Sequence, residues 1–178
     1  MDKRPEKDEY AEYYSTYVNL IPEGDIIHIL KQQIEDTKEL LSDISEEQES
    51  FRYAPGKWSL KEVIGHMADT ERIMAWRLLC IARGETESLP GFDENSYVEN
   101  ASFDLQSMNE LLENLYAVRL STLHLLKGLR EEKWLRRGMA NGTAVSVRGL
   151  VSIIAGHDLH HIKIIKERYL QSVDYPAV

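Results

Sequence analysis

Apolar residues recur along this chain at the helical period of about 3.6, which places one side chain in three or four on a common face. The first such stripe runs from about Asp25 to Ile44 through Ile26, Ile29 or Leu30, Gln33 or Ile34, Thr37 and Leu40 or Leu41. A second begins after Ser59 and follows Leu60, Val63, Ile64, Met67, Met74, Leu78 and Ile81 to about Ala82. Ser59 with Glu62 has the form of a capping box, Trp58 is placed to staple the first turn, and Gly84 supplies a C-terminal stop. A third stripe runs from about Asp104, read as the N-cap, to Leu129 through Met108, Leu111, Leu112, Leu115, Val118 or Arg119, Thr122 and Leu126. The last begins near Ser146 and passes Leu150, Val151, Ile154, Ala155, Ile162, Ile165 and Tyr169.

Between the stripes, Glu46 to Gly56 reads as a polar connection closed by Pro55-Gly56, and Asn141-Gly142 reads as a turn after the anchor Trp134. Glu85 to Phe103 is read as one long non-helical segment, a lid or substrate wall with Phe92, Asp93 and Tyr97 at a pocket rim. Four long helices and few convincing strands predict an all-α four-helix bundle with a long loop between the second and third helices. The expected division is 1–24 as an arm or short helix carrying Tyr10, Tyr13, Tyr14 and Tyr17, 25–170 as the bundle, and 171–178 as a tail.

A length of 178 residues is enough for a sizeable core without disulfides or a structural metal. A formal charge of −9 argues against a nucleic-acid partner, because phosphate recognition needs clustered Lys and Arg. The single Cys80 permits no internal disulfide and reads as a buried structural thiol in a reducing, cytoplasmic compartment. The mixed-charge start and the absence of 18 successive apolar residues predict neither signal peptide nor membrane span.

The candidate chemistry lies in Gly156-His157-Asp158-Leu159-His160-His161-Ile162, which holds three of the six histidines. Imidazoles three or four residues apart share a helical face, with Cβ atoms about 5 to 6 Å apart, and can converge on one ion. Spacing leaves His160 and His161 open as the partner of His157; His161 is preferred because it tracks the buried stripe from Ile154. His66 on the second helix is the natural third ligand, and three imidazoles leave a position free on Zn²⁺ or a similar ion. HxxxH also occurs on helices without metal, and a lone histidine on an apolar face is usually a packing residue. His28 and His124 are read as ordinary.

Glu62, Asp69 and Asp158 are placed to orient an imidazole, and His160, Asp158 and Glu71 to move a proton. For Glu71 and Asp158 the commoner use is a surface ion pair. Arg72 and Arg77 are candidate anion contacts, with a solvated helix edge as the plainer reading.

Tyr53-Ala54-Pro55-Gly56-Lys57-Trp58-Ser59 running on to Gly65-His66-Met67-Ala68-Asp69-Thr70-Glu71, the Leu89-Pro90-Gly91-Phe92-Asp93 segment, and Ala155-Gly156-His157-Asp158-Leu159-His160-His161-Ile162 together resemble the DinB-like superfamily, particularly its YfiT-type metal-dependent hydrolases. The resemblance covers about Asp25 to Leu170. It implies an up-down-down-up four-helix bundle, a homodimer, and one zinc or nickel ion on His66, His157 and His161, with His160 only a neighbour. It implies a small-molecule substrate and two activities. In a hydrolase the ion acidifies water; in a bacillithiol-type S-transferase it stabilises an incoming thiolate. The non-catalytic alternative is a bundle that stores metal or binds a small molecule.

Overall fold

The computed structural model describes residues 4–177; positions 1–3 of the expected arm and 178 of the expected tail lie outside it. The tyrosine-rich start is an arm that contains short helical pieces. Two 3₁₀ turns, Lys7–Glu9 and Glu12–Tyr14, lead into one turn of α-helix, α1 (Ser15–Val18). The arm is laid along the last helix, where two glycines admit its backbone: a Cβ at Gly149 would stand 2.4 Å from the Glu9 carbonyl oxygen, and one at Gly156 would stand 2.3 Å from that of Tyr17. The Glu9 carboxylate is buried there, accepting from the Ser146 hydroxyl at 2.6 Å and pairing with Arg148.

Asp25 caps α2 (Ile26–Leu41) by accepting from the His28 N–H at 2.9 Å. This helix stops short of Ile44 because Ser45 and Gln48 form a second capping box that starts α3 (Glu46–Glu49), so the first connection contains a helical turn. Gly56 then turns at φ 73°. The expected Ser59–Glu62 box opens α4 (Leu60–Arg83), and Gly84 closes it at φ 103°. Trp58 lies 4.6 Å from the His66 ring, centroid to centroid.

The second connection corrects the non-helical reading. Its Asp93 accepts from the Ser96 N–H at 2.9 Å and starts α5 (Glu94–Ala101). Only Val98 of α5 is buried, so the segment carries no apolar stripe to announce it. The next long helix, α6 (Met108–Lys127), is capped by Ser107 with Glu110; Asp104, the expected cap, lies in a 3₁₀ turn, Phe103–Leu105, that docks Phe103 over Gly65. After α6, β1 (Arg137–Ala140) and β2 (Thr143–Ser146) form an antiparallel hairpin. Its turn residues Asn141 and Gly142 have φ 51° and 71°, the signs that suit a two-residue hairpin turn. Leu89 adds a bridge by donating to the Met139 carbonyl and accepting from the Asn141 N–H, each at 2.9 Å. Ser146 caps α7 (Val147–Ile164), which ends in a π-wound turn, Ile165–Leu170.

The architecture is the four-helix bundle of the sequence reading. Helices α2 and α4 each pack against both α6 and α7, which places α2 and α4 on opposite corners of the bundle. The fully buried Leu30, Ile34, Leu60, Ile64, Leu78, Leu111 and Leu115 form its core, each contributing about 1.5 to 3 kcal/mol relative to an exposed side chain. Cys80 is half-buried against this core rather than enclosed. Among the described residues no helix is long and apolar enough to cross a membrane.

Candidate metal centre

The stripe of α4 turns His66 inward and that of α7 turns His157 and His161 inward, at the contact between the two helices. All three are more than nine-tenths buried. His157 Nε2 lies 3.1 Å from His66 Nε2 and 3.1 Å from His161 Nε2, and the ring centroids are 4.4 to 5.1 Å apart. The three ligand atoms fall within 4.8 Å of one another.

A neutral imidazole has one lone pair, so His157 Nε2 cannot serve as acceptor to both neighbours. Two nitrogens bound tetrahedrally at about 2.0 to 2.1 Å from one ion would be about 3.3 Å apart. The two 3.1 Å spacings are close to that value, so the three nitrogens would fit as donors to a single cation. Burial keeps the rings neutral, as ligation requires: His66 is lowered to about 4, while His157 and His161 fall well below the usual histidine range, chiefly by desolvation.

Around these rings the assignments of the carboxylates change. Glu62 is occupied by Arg52 and the Ser59 cap, and Asp69 pairs with Arg72 at 3.0 Å, so neither expected orienting group reaches His66. The partner of the His66 ring is Thr70, whose hydroxyl lies 3.5 Å from Nδ1. Glu71 and Asp158 are not surface ion pairs. Both face the core and hold Arg119: its Nε lies 3.0 Å from each Glu71 oxygen and its Nη2 lies 3.0 Å from Asp158 Oδ1. Arg119 Nη1 also donates to the Leu30 carbonyl at 2.7 Å, so one guanidinium joins α2, α4, α6 and α7 directly behind His157. Desolvation, opposed by Arg119 and reinforced by Glu71, raises the Asp158 carboxyl to about 6. Its Oδ2 is buried without a hydrogen-bond partner.

His160 stands at the edge of the cluster, half-buried, with its ring 5.0 Å from Tyr17 and 5.3 Å from His161. Desolvation, with Lys163 nearby, lowers its pKa as well. Tyr17 also meets His157 edge-on at 5.5 Å.

A cavity of about 310 Å³ reaches His66 and His157. Its walls come from the N-terminal arm (Tyr13, Tyr14, Tyr17), from α4 (Thr70, Met74, Arg77), and from Phe92, Glu94 and Asn141. Phe92 of the expected rim is present; Asp93 is spent on capping α5, and Tyr97 stacks behind Phe92 at 5.3 Å. Arg77 is not a solvated helix edge but is 98% buried. The three tyrosines had only their clustering to mark them, and Thr70 only its place one turn after His66.

Comparison with known proteins gives the family and the fold. A family model described as the DinB superfamily matches residues 29–165. Two proteins of Oceanobacillus iheyensis are similar: one named "Putative metal-dependent hydrolase OB0413", 27% identical over 72% of this chain and 74% of its own length, and one named "Putative metal-dependent hydrolase OB0782", 26% identical over 79% and 86%. A solved structure, described as YfiT from Bacillus subtilis, "a probable metal-dependent hydrolase with an unusual four-helix bundle topology", superposes with a TM-score of 0.71 at 18% identity, covering 93% of this chain and 91% of the other, and shares the fold.

Proposed function

The chain belongs to the DinB superfamily, and from that premise we propose that it is a metal-dependent hydrolase of a small-molecule substrate. One zinc or nickel ion is held by His66, His157 and His161. The observation that carries this reading is the convergence of three neutral, buried imidazole nitrogens, with His66 and His157 lining a cavity large enough for a small substrate. The names of the two relatives support it. A bound divalent ion supplies a Lewis acid and lowers the pKa of water from 15.7 toward about 7.

The protein's own groups have separate tasks. Thr70 fixes the His66 ring through Nδ1, leaving Nε2 as the ligand atom. Glu71 and Asp158 are positioning residues: by gripping Arg119 they hold the turn of α7 that carries His157. His160, neutral at pH 7 and beside the cluster, is the group assigned to take up a proton. Tyr17 and Trp58 pack on the rings and keep bulk water from them.

The test is a panel of esters and amides offered to the metal-loaded protein, with and without a low-molecular-weight thiol. Hydrolysis that is indifferent to thiol and lost in His157→Ala supports the proposal. Turnover that requires thiol would replace it with S-transfer. The exposed Trp76 and Leu79 of α4, which line a surface groove with Leu125 of α6, support a homodimer through that face.

A further inference from the structure

Arg77 is the buried cation that the metal centre leaves unexplained. Its residue is 2% exposed, yet among the described residues no carboxylate oxygen lies within 4.0 Å of its guanidinium. The other enclosed arginines are paired, Arg119 with Glu71 and Asp158 and Arg148 with Glu9. The hydrogen-bond acceptors of Arg77 among the described residues are the Pro90 carbonyl, to which Nη2 donates at 2.6 Å, and the Met74 sulfur at 3.5 Å from Nη1; its Nε is buried with no acceptor. Burying an uncompensated charge is unfavourable, so a guanidinium kept in this state lowers stability unless an anion arrives.

The free donors belong to a residue that lines the same cavity as the histidines. His66, Thr70, Met74 and Arg77 follow one face of α4, with about 16 Å of helix rise between the first and the last. Phe92 lies 5.8 Å from the guanidinium and walls it on the loop side. Glu94 is the one carboxylate in the described lining; it is exposed and makes no ion pair with Arg77. A planar fork of N–H donors is suited to a two-oxygen anionic group.

The geometry points to Arg77 as the anion-binding residue of this site, and to a substrate that carries a carboxylate or phosphate group at the end remote from the metal. This assignment of substrate class rests on the metal-dependent reading above, while the anion subsite is built from the chain alone. The tyrosines of the arm form the wall between the two ends.

The test is calorimetric titration of glutarate, of inorganic phosphate and of neutral glutaramide into the metal-free and the zinc-loaded protein, for wild type, Arg77→Met and Arg77→Lys. Wild type is expected to bind at least one of the two anions in both metal states and not glutaramide, and which anion it takes separates carboxylate from phosphate. Arg77→Met is expected to weaken that binding at least about tenfold, with Arg77→Lys in between. Because the charge it removes is unpaired, Arg77→Met should melt no more than about 3 °C below wild type without anion, or above it, whereas loss of a purely structural arginine would lower the melting temperature far more. Equal affinity in wild type and Arg77→Met, or no anion bound by wild type, overturns the assignment. If Arg77→Met does not fold, the wild-type melting temperature decides: a saturable rise with the anion beyond that given by sodium chloride at equal ionic strength is expected, and its absence overturns the proposal. Zinc content measured on the same samples keeps the two readings apart. Normal zinc uptake without anion binding removes only the Arg77 subsite, and failure to take up zinc removes the metal centre.

Discussion

At the scale of single residues, the cluster couples metal binding to pH. His66 is lowered from 6.5 to about 4, so the folded chain binds fewer protons than the unfolded chain as pH falls below 6.5. Its contribution to stability is complete above pH 6.5 and is lost as pH falls through 4, which amounts to roughly 3 kcal/mol for the metal-free protein. Urea unfolding at pH 7, 5.5 and 4 should show that decline, opposed by the gain as the Asp158 carboxyl takes up a proton below about pH 6; a stability that rises toward pH 4 would mean the rings are not held neutral. Arg119→Leu leaves Glu71 and Asp158 buried without their cation and should cost about 3 to 5 kcal/mol by the same measurement. The histidines were readable because ligands on one helix recur at i+3 or i+4, although spacing alone did not choose between His160 and His161. The partners of Arg119 were not: Glu71, between Met67 and Met74, and Asp158, between Ile154 and Ile162, sit on the apolar stripes, but which cation meets them is set only by the packing of four helices.

At the scale of elements, the ends of the helices carry their own chemistry. Ser59–Glu62 and Ser146 could be read because each precedes a strong apolar stripe; Ser107–Glu110 was obscured by Asp104, an equally good cap three residues earlier that the docking of Phe103 over Gly65 commits to another turn. The hairpin strands escaped notice because each has four residues and little alternation, although their Asn141-Gly142 turn was plain. The arm is the element whose placement matters most to the cavity. Gly156→Ala would set a methyl group 2.3 Å from the Tyr17 carbonyl oxygen and push the arm off α7. A loss of about 1 to 3 kcal/mol is expected, with faster proteolysis within the first 20 residues; unchanged stability and proteolysis would mean the arm does not pack there.

At the scale of the whole molecule, the ligands come from two helices distant in sequence, so an ion that binds only the folded chain stabilises the fold. At a free ion concentration 100 times its Kd the gain is about 2.7 kcal/mol, or roughly 5 to 10 °C in Tm for a chain of this size. Chelation should reverse it. The bundle itself was legible from four stripes and their spacing. Of the cavity only the Phe92 rim was, since the rest is formed where the arm, α4 and the α4–α5 segment meet, a juxtaposition that exists only once the chain has folded.

Metal analysis with X-ray absorption spectroscopy on wild type and His157→Ala, each loaded with zinc or nickel and then freed of loose ions, addresses the three-histidine centre itself. About one ion per chain is expected in wild type, with an imidazole shell of three nitrogens at about 2.0 to 2.1 Å for zinc, and retention should fall below about 0.1 ion per chain in His157→Ala. A wild-type chain that retains no ion, or a variant that holds it as well as wild type, would contradict the assignment of His66, His157 and His161 as one metal site.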